Sequence, residues 1–201
     1  MSEIQKRFIS PNELFSSSIK LGTKIVQTGW KPNFIIALWR GGSVPGMCVQ
    51  EVLEYSGISV DHIAVRTSSY VGMQQQKEIR VHGLHYIIEN VNKNDRVLIV
   101  DDIFESGRSI EAVISELKTK MRENFPQDIK VATLFVKTGK NKTQRNPDFF
   151  VENTDEWIVF PHEFEGLTRQ QVQENKVVPI DLFEYLDEQE KKSLFAENSI
   201  F

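Results

Sequence analysis

Cysteine is nearly absent from this chain. Cys48 stands alone among 201 residues, so neither an intrachain disulfide nor a cysteine-based zinc site can form, and a reducing compartment is expected. His62, His82 and His85 lack metal-ligand spacing, and the lone His162 is assigned no role. No apolar run approaches the ~20 residues of a membrane span. The stretch "MSEIQKRFISPNEL" has no apolar core of a secretory signal. A cytoplasmic protein without a membrane partner is therefore expected. Positive charge is not in excess either: 24 Lys and Arg face 28 Asp and Glu, a net charge of −4. A nucleic-acid binder usually carries a basic footprint, so no nucleic-acid partner is expected. Internal repeats and low-complexity tracts are missing too. What remains is 40% hydrophobic and 26% charged, at a length that suits one domain, or one domain with an appendage, and buries a core without staples.

The pattern of the chain alternates. "ISPNELF" reads as a helix start, with Ser10 as N-cap, Pro11 in the first helical position and Glu13 closing a capping box. Leu14, Phe15, Ile19, Leu21, Ile25 and Val26 then share one side of a 3.6-residue wheel, and Gly29 ends the helix. "NFIIALW" is continuously apolar, as a strand buried on both faces should be. "RGGS" is a tight turn and "VPGMCVQEVLEY" a helix. "VDHIAVRT", "DRVLIV" and "IKVATLFV" read as further strands, and Ile110, Val113, Ile114, Leu117 and Met121 mark a helix between the last two. "FFVEN" and "WIVF" are short strands. "SSYVGMQQQKEIRVHG" is polar and reads mostly as a long exposed loop. Beyond Pro161 the pattern loosens, and Leu182, Phe183, Leu186 and Leu194 suggest a short amphipathic helix. Alternating strands and helices imply an α/β fold with a mainly parallel twisted sheet flanked by helices. Ligands in such sheets bind outside the carboxyl ends of the strands, where both "RGG" and "DDIFESG" fall.

The second of these stretches carries the chemistry. In "RVLIVDDIFESGRSIEAVISEL" an apolar run meets Asp101 and Asp102, then Glu105, Ser106, Gly107 and Ser109, then a helix. Small hydroxyl residues and a glycine at a helix start suit a phosphate, although Ser109 as a plain N-cap is the simpler reading of that loop alone. The spacing of a Walker A loop is absent. Adjacent carboxylates repel unless a cation or a hydrogen-bonding group such as a sugar diol lies between them. Phosphate donors beside paired acids thus suggest a phosphorylated ribose and a metal. A receiver domain also carries acids at such a rim, but "FIIALW" ends in Arg40 rather than a phospho-acceptor aspartate.

At these residues the chain resembles the type I phosphoribosyltransferases. "VLIVDDIFESGRS" is similar to their phosphoribosyl-pyrophosphate signature, and "IIALWRGGSVPG" to their pyrophosphate loop. "TSSYVG" resembles the Ser-Tyr at the base of their mobile loop. "FVKTGK" and "DEWIVFPHE" resemble the purine end of the xanthine-guanine and hypoxanthine-guanine members. Counting the two stretches of the purine end as one, the four motifs stand in the family's order over roughly residues 33–163.

The resemblance implies a purine phosphoribosyltransferase of the salvage type, with a small purine-binding hood. It would move the phosphoribosyl group from phosphoribosyl pyrophosphate to hypoxanthine, guanine or xanthine, with Mg²⁺ as cofactor. By resemblance, Ser106, Gly107, Arg108 and Ser109 cradle the 5-phosphate, and Asp101 and Asp102 hold the ribose hydroxyls directly or through Mg²⁺. Arg40, Gly41 and Gly42 grip the pyrophosphate. Lys137 meets the 6-oxo group of the base. Trp157 stacks on the ring, Ile158 offers backbone contacts and Ile103 covers the other face. Ser69 and Tyr70 belong to the mobile loop, expected near residues 69–82. Glu163 joins Asp102 as a metal ligand. For Lys137 the competing reading is a solvated strand end, for Trp157 a core side chain, for Glu163 an exposed acid. Lys140, Lys142 and Arg145 are read as solvated loop charges.

One residue departs from the family. Glu105 stands where an aspartate usually serves as the candidate base near the purine N7, and its extra methylene changes its reach. Retained activity with an altered rate or base preference is expected. The alternative function is a regulatory sensor of the same fold that binds phosphoribosyl pyrophosphate or nucleotide. An orotate or uracil enzyme is a further one, disfavoured by "WIVFPHE". The domain is expected over residues 1–163, with 164–201 as an extension packed on it or on a partner subunit. Family members imply a homodimer or homotetramer.

Overall fold

Three of the continuously apolar runs become neighbouring parallel strands, because only a sheet covered on both faces buries such sequences. The computed structural model describes residues 6–71, 77–179 and 181–188. In chain order the elements are β1 (Lys6–Phe8), α1 (Pro11–Gln27), β2 (Phe34–Trp39), α2 (Ser43–Tyr55), β3 (Asp61–Val71), β4 (Lys77–His82) and α3 (His85–Asn90). There follow β5 (Arg96–Phe104), α4 (Arg108–Met121), β6 (Asp128–Val136), β7 (Phe149–Asn153), β8 (Trp157–Val159) and α5 (Arg169–Asn175). Residues 181–188 are also helical. The main sheet has the order β4-β3-β2-β5-β6-β7, and every pair in it is parallel except β3–β4.

The pleat of β5 divides the core. Leu98 and Val100 pack with Leu14, Leu21 and Ile25 of α1 and Val49 and Leu53 of α2. Val97 and Ile99 pack on the other face with Ile87 of α3 and the Ile110, Val113, Ile114, Leu117 and Met121 series of α4. Full burial of such a side chain contributes about 1.5–3 kcal/mol, so the 3.6-residue stripe of α4 is what fastens it to the sheet.

Several details differ from the sequence reading. In α1 the Ser10 hydroxyl accepts from the Glu13 N–H at 3.1 Å, but the Glu13 carboxylate pairs with Arg7 at 2.9 Å, so the expected reciprocal box is not completed. Phe15 and Ile19 are 46% and 49% exposed: the apolar stripe of α1 is wider than the sheet can cover. The expected long loop after residue 67 is largely a hairpin, since β3 runs to Val71 and β4 returns antiparallel from Lys77, pairing Ser69 with Ile79 and Tyr70 with Glu78. Residues 72–76 of the expected mobile loop lie outside the described residues.

A small two-stranded sheet stands apart from the main one. β1 pairs in parallel with β8, placing Arg7 beside Ile158. Arg7 fastens this hood to the body through Glu13, Glu152 and Glu156 and lies 5.5 Å over the Phe135 ring. The hydrogen bond to Glu152, then the other acids, raise its pKa further against the opposing effect of burial. The tail begins by covering the hood: Val172 of α5 is buried, and Lys6 donates to Gln171 at 3.3 Å. Thr168 and Gln171 form a reciprocal capping box, a Thr-x-x-Gln signal that the sequence reading passed over. Leu194 lies outside the described residues.

Candidate active site

The site is set by where one strand leaves another. The β2–β5 ladder ends at Ala37 opposite Val100, while β5 continues beside β6 until Phe104 faces Val136. The strand therefore does not stop at the two acids, as its sequence suggests. Asp101 and Asp102 are held in extended backbone past the last β2 pair, and the loop Arg40–Gly42 packs against Asp102. A cis peptide bond joins Trp39 to Arg40. The turn is tight: the Gly42 N–H donates to Leu38 O at 2.8 Å, and the Ser43 N–H to Arg40 O at 3.1 Å. A Cβ on Gly41 would lie 2.0 Å from Asp102 Oδ2, and one on Gly42 would lie 2.3 Å from Val100 O. Both glycines are needed for close approach. The "RGG" and "DD" motifs are thus in contact.

The pleat aims the two acids differently. Asp102 follows Leu98 and Val100 towards α2 and the glycine loop. Asp101 follows Val97 and Ile99 towards α4, where it lines a cavity of about 100 Å³ with Ser106, Gly107 and Ser109. Burial, and then the charge of Glu163, push the Asp102 carboxyl up to about 7. Burial and the neighbouring Asp102 raise Asp101 well above the usual carboxylate range.

The phosphate-like loop is built on Gly107, whose φ of +72° is left-handed. A Cβ there would also meet Thr143 Oγ1 at 2.6 Å and Phe104 Cζ at 2.7 Å. α4 begins at Arg108, with Gly107 at the cap and no side-chain capping bond. Ser109 is therefore inside the first turn rather than the cap. The Arg108 N–H donates to Ser106 Oγ at a long 3.4 Å, and the helix dipole favours an anion before the first turn. The connection after β6 braces this loop. The Lys142 N–H donates to Ser106 O at 3.0 Å, and Arg145 pairs with Glu111 at 2.8 Å. Arg145 and Lys140, expected to be solvated, are both engaged; Lys140 pairs with Glu105 at 2.9 Å.

Next to the rim lies a larger cavity of about 350 Å³. Arg40, Ile103, Glu105, Lys137, Trp157 and Glu163 all line it. Ile158 lines it too, with its side chain buried in the core. Lys137 is only 3% exposed, so it is no solvated strand end. Its Nζ is 3.6 Å from Glu105 and 5.7 Å from the centre of the Trp157 ring. Trp157 is 49% exposed and offers a ring face to the cavity rather than to the core. The Glu163 carboxylate accepts from the Phe160 N–H at 2.9 Å, which fixes it beside Asp102. Burial raises the Glu105 carboxyl, but the Lys140 hydrogen bond and the two lysine charges outweigh it, and the net shift is downward. Sequence reasoning missed Lys6 and residues 164–167 in this wall. It also missed Ser43, whose buried hydroxyl has no hydrogen-bond partner among the described residues. Ser43 directly follows the "RGG" motif and was the one available signal. The side chains of Ser69 and Tyr70 lie outside the described residues.

The model of the phosphoribosyl transferase domain matches residues 12–168. The chain belongs to the phosphoribosyl transferase family. Among relatives of this phosphoribosyltransferase, xanthine phosphoribosyltransferase 1 of Saccharomyces cerevisiae is 23% identical over 83% of this chain and 94% of its own. Hypoxanthine-guanine phosphoribosyltransferase of Streptococcus pyogenes is 26% identical over 78% of this chain and 83% of its own. Among solved structures, a purine phosphoribosyltransferase from Pyrococcus horikoshii aligns with a TM-score of 0.62 at 27% identity, covering 82% of this chain and 98% of that one. The mostly parallel sheet flanked by helices is the fold of the family. Among the described residues no helix is long and apolar enough to cross a membrane.

Proposed function

We infer that this phosphoribosyltransferase acts on purines: it transfers the 5-phosphoribosyl group of phosphoribosyl pyrophosphate to hypoxanthine, guanine or xanthine and releases pyrophosphate, a salvage reaction. The observation that carries the reading is the junction of two sites. A rim with one buried and one part-buried acid, and a helix start without a side-chain cap, adjoins a cavity walled by a buried lysine and a half-exposed tryptophan. The names of the relatives point the same way.

The roles follow from the chemistry of each group. Ser106, Gly107, Arg108 and Ser109 hold the 5-phosphate at the start of α4. Asp101 and Asp102 accept from the ribose hydroxyls. Backbone at Arg40, Gly41 and Gly42 meets the pyrophosphate, with the Ser43 hydroxyl as a further donor and the Arg40 guanidinium as a fixed charge. Trp157 and Ile103 sandwich the base, Ile158 contacts it through its backbone, and Lys137 donates to its 6-oxo group. As the glycosidic bond of the donor breaks, positive charge develops on the ribose. Carboxylates fixed nearby stabilise that charge without reorganising. Glu105 accepts the proton that leaves the base nitrogen on the N7 side.

The donor set suits Mg²⁺. Asp102 and Glu163 are hard oxygen ligands, and burial followed by their mutual repulsion raises the Asp102 carboxyl; a divalent cation relieves that repulsion. No cluster of three or more ligating side chains occurs among the described residues. An ion held by these two acids would complete its shell with substrate oxygens and water, as Mg²⁺ commonly does. When bound it neutralises charge on the pyrophosphate. A homodimer or homotetramer fits the exposed Phe15, Ile19, Met47 and Tyr55 on α1 and α2.

The test is a base panel. The protein is mixed with phosphoribosyl pyrophosphate, Mg²⁺ and, separately, hypoxanthine, guanine, xanthine, adenine, uracil or orotate, and nucleotide is quantified by chromatography. Turnover of at least one oxopurine is expected. Turnover of orotate or uracil alone would overturn the purine reading.

A further inference from the structure

Glu105 has one more rotatable bond than an aspartate would have, and its carboxylate is 44% exposed at the mouth of the base cavity. A group with that freedom needs something to hold it. We propose that Lys140 is a positioning residue for the transfer: it anchors the Glu105 carboxylate at the base end of the site while Lys137 turns to the base. The inference rests on the reading of the site as a phosphoribosyl-transfer centre.

The geometry begins with the turn. Lys137 directly follows the end of β6 at Val136, and a single 3₁₀ turn, Thr138–Lys140, comes next. The Lys140 N–H donates to Lys137 O at 3.1 Å. The turn brings both ammonium groups to the same carboxylate. Lys140 Nζ lies 2.9 Å from Glu105 Oε1, and Lys137 Nζ lies 3.6 Å from Oε2. Each carboxylate oxygen has its own cation.

The two lysines are not equivalent. The Lys137 side chain is 4% exposed and that of Lys140 is 51% exposed. Lys137 is buried beside Trp157 and is the cation that an entering base must meet. Lys140 stands outside the cavity wall and can keep Glu105 when Lys137 shifts its hydrogen bonds. The segment beyond Lys140 is fixed to the phosphate-like loop through the Lys142 N–H and Ser106 O, and to α4 through Arg145 and Glu111. Lys140 therefore hangs from a braced turn.

The test is a mutant cycle on steady-state turnover with an oxopurine that the wild type uses. Lys140→Met is expected to lower kcat about two- to fivefold, the range of a partly exposed ion pair, with KM for phosphoribosyl pyrophosphate unchanged. Lys140→Arg should recover most of the loss. In a Glu105→Gln background the Lys140→Met change should vanish, because the pair is already broken. An equal loss in both backgrounds, or no loss in either, overturns the role of Lys140 while leaving phosphoribosyl transfer standing. A wild type that forms nucleotide from no base overturns both.

Discussion

Replacing Asp102 by asparagine is expected to stabilise the metal-free protein at mildly alkaline pH while abolishing turnover. Burial and the charge of Glu163 raise this carboxyl from 3.8 to about 7. A carboxyl raised in the folded state keeps a proton that the unfolded chain has given up. Its stabilising contribution is whole below the unfolded value and disappears as pH climbs through the folded one. Between pH 5 and pH 8 the loss accrues over the two units from 5 to 7, on the order of 3 kcal/mol. For a chain of this size that is roughly 6–12 °C in Tm. Asparagine keeps the shape and cannot ionise, so its share of the slope is removed. Asp101 is pushed the same way by burial and by Asp102, so losing the Asp102 charge also lessens its share of the slope in the variant. Urea unfolding of wild type and Asp102→Asn at both pH values, with a chelator present, measures the difference. The gap should widen in favour of the variant by about that amount. Parallel pH dependences would refute the reasoning that Asp102 is a buried carboxylate poised against Glu163.

Gly42→Ala is expected to destabilise by about 1–3 kcal/mol, as overpacking does, because its φ of −70° is ordinary but its Cβ would meet backbone at Val100 O; urea melts give the value. Gly57→Ala, with φ at +76° and open space around it, should cost about 1–2 kcal/mol from backbone strain alone. Chelation of Mg²⁺ during the base panel should abolish nucleotide formation, and restored Mg²⁺ should return it. Light scattering should give two or four times the chain mass of 23.2 kDa, and Ile19→Lys, on the exposed stripe of α1, should lower it.

The sheet and the helices were legible because burial on both faces leaves continuous apolar runs, and burial on one face leaves the α4 series. The rim was legible because paired acids and glycines have few structural uses at a strand end. Partnerships across the fold were not. Nothing near Lys140 in the chain announces Glu105, 35 residues away. Phe15 and Ile19 match the helical period as well as Leu14 and Leu21 do, and only the width of the sheet decides which are covered. β1 is three residues long, too short to show a period, yet it completes the hood. The polar composition of residues 68–82 hid a hairpin, since antiparallel pairing at a sheet edge needs no apolar run.

The most direct test of phosphoribosyl transfer at this rim is the simultaneous quantification of nucleotide and pyrophosphate from phosphoribosyl pyrophosphate, Mg²⁺ and an oxopurine, for wild type and Asp102→Asn. Equal amounts of the two products from the wild type, and neither from the variant, are the expected result. Pyrophosphate without nucleotide, or undiminished nucleotide formation by Asp102→Asn, would contradict it.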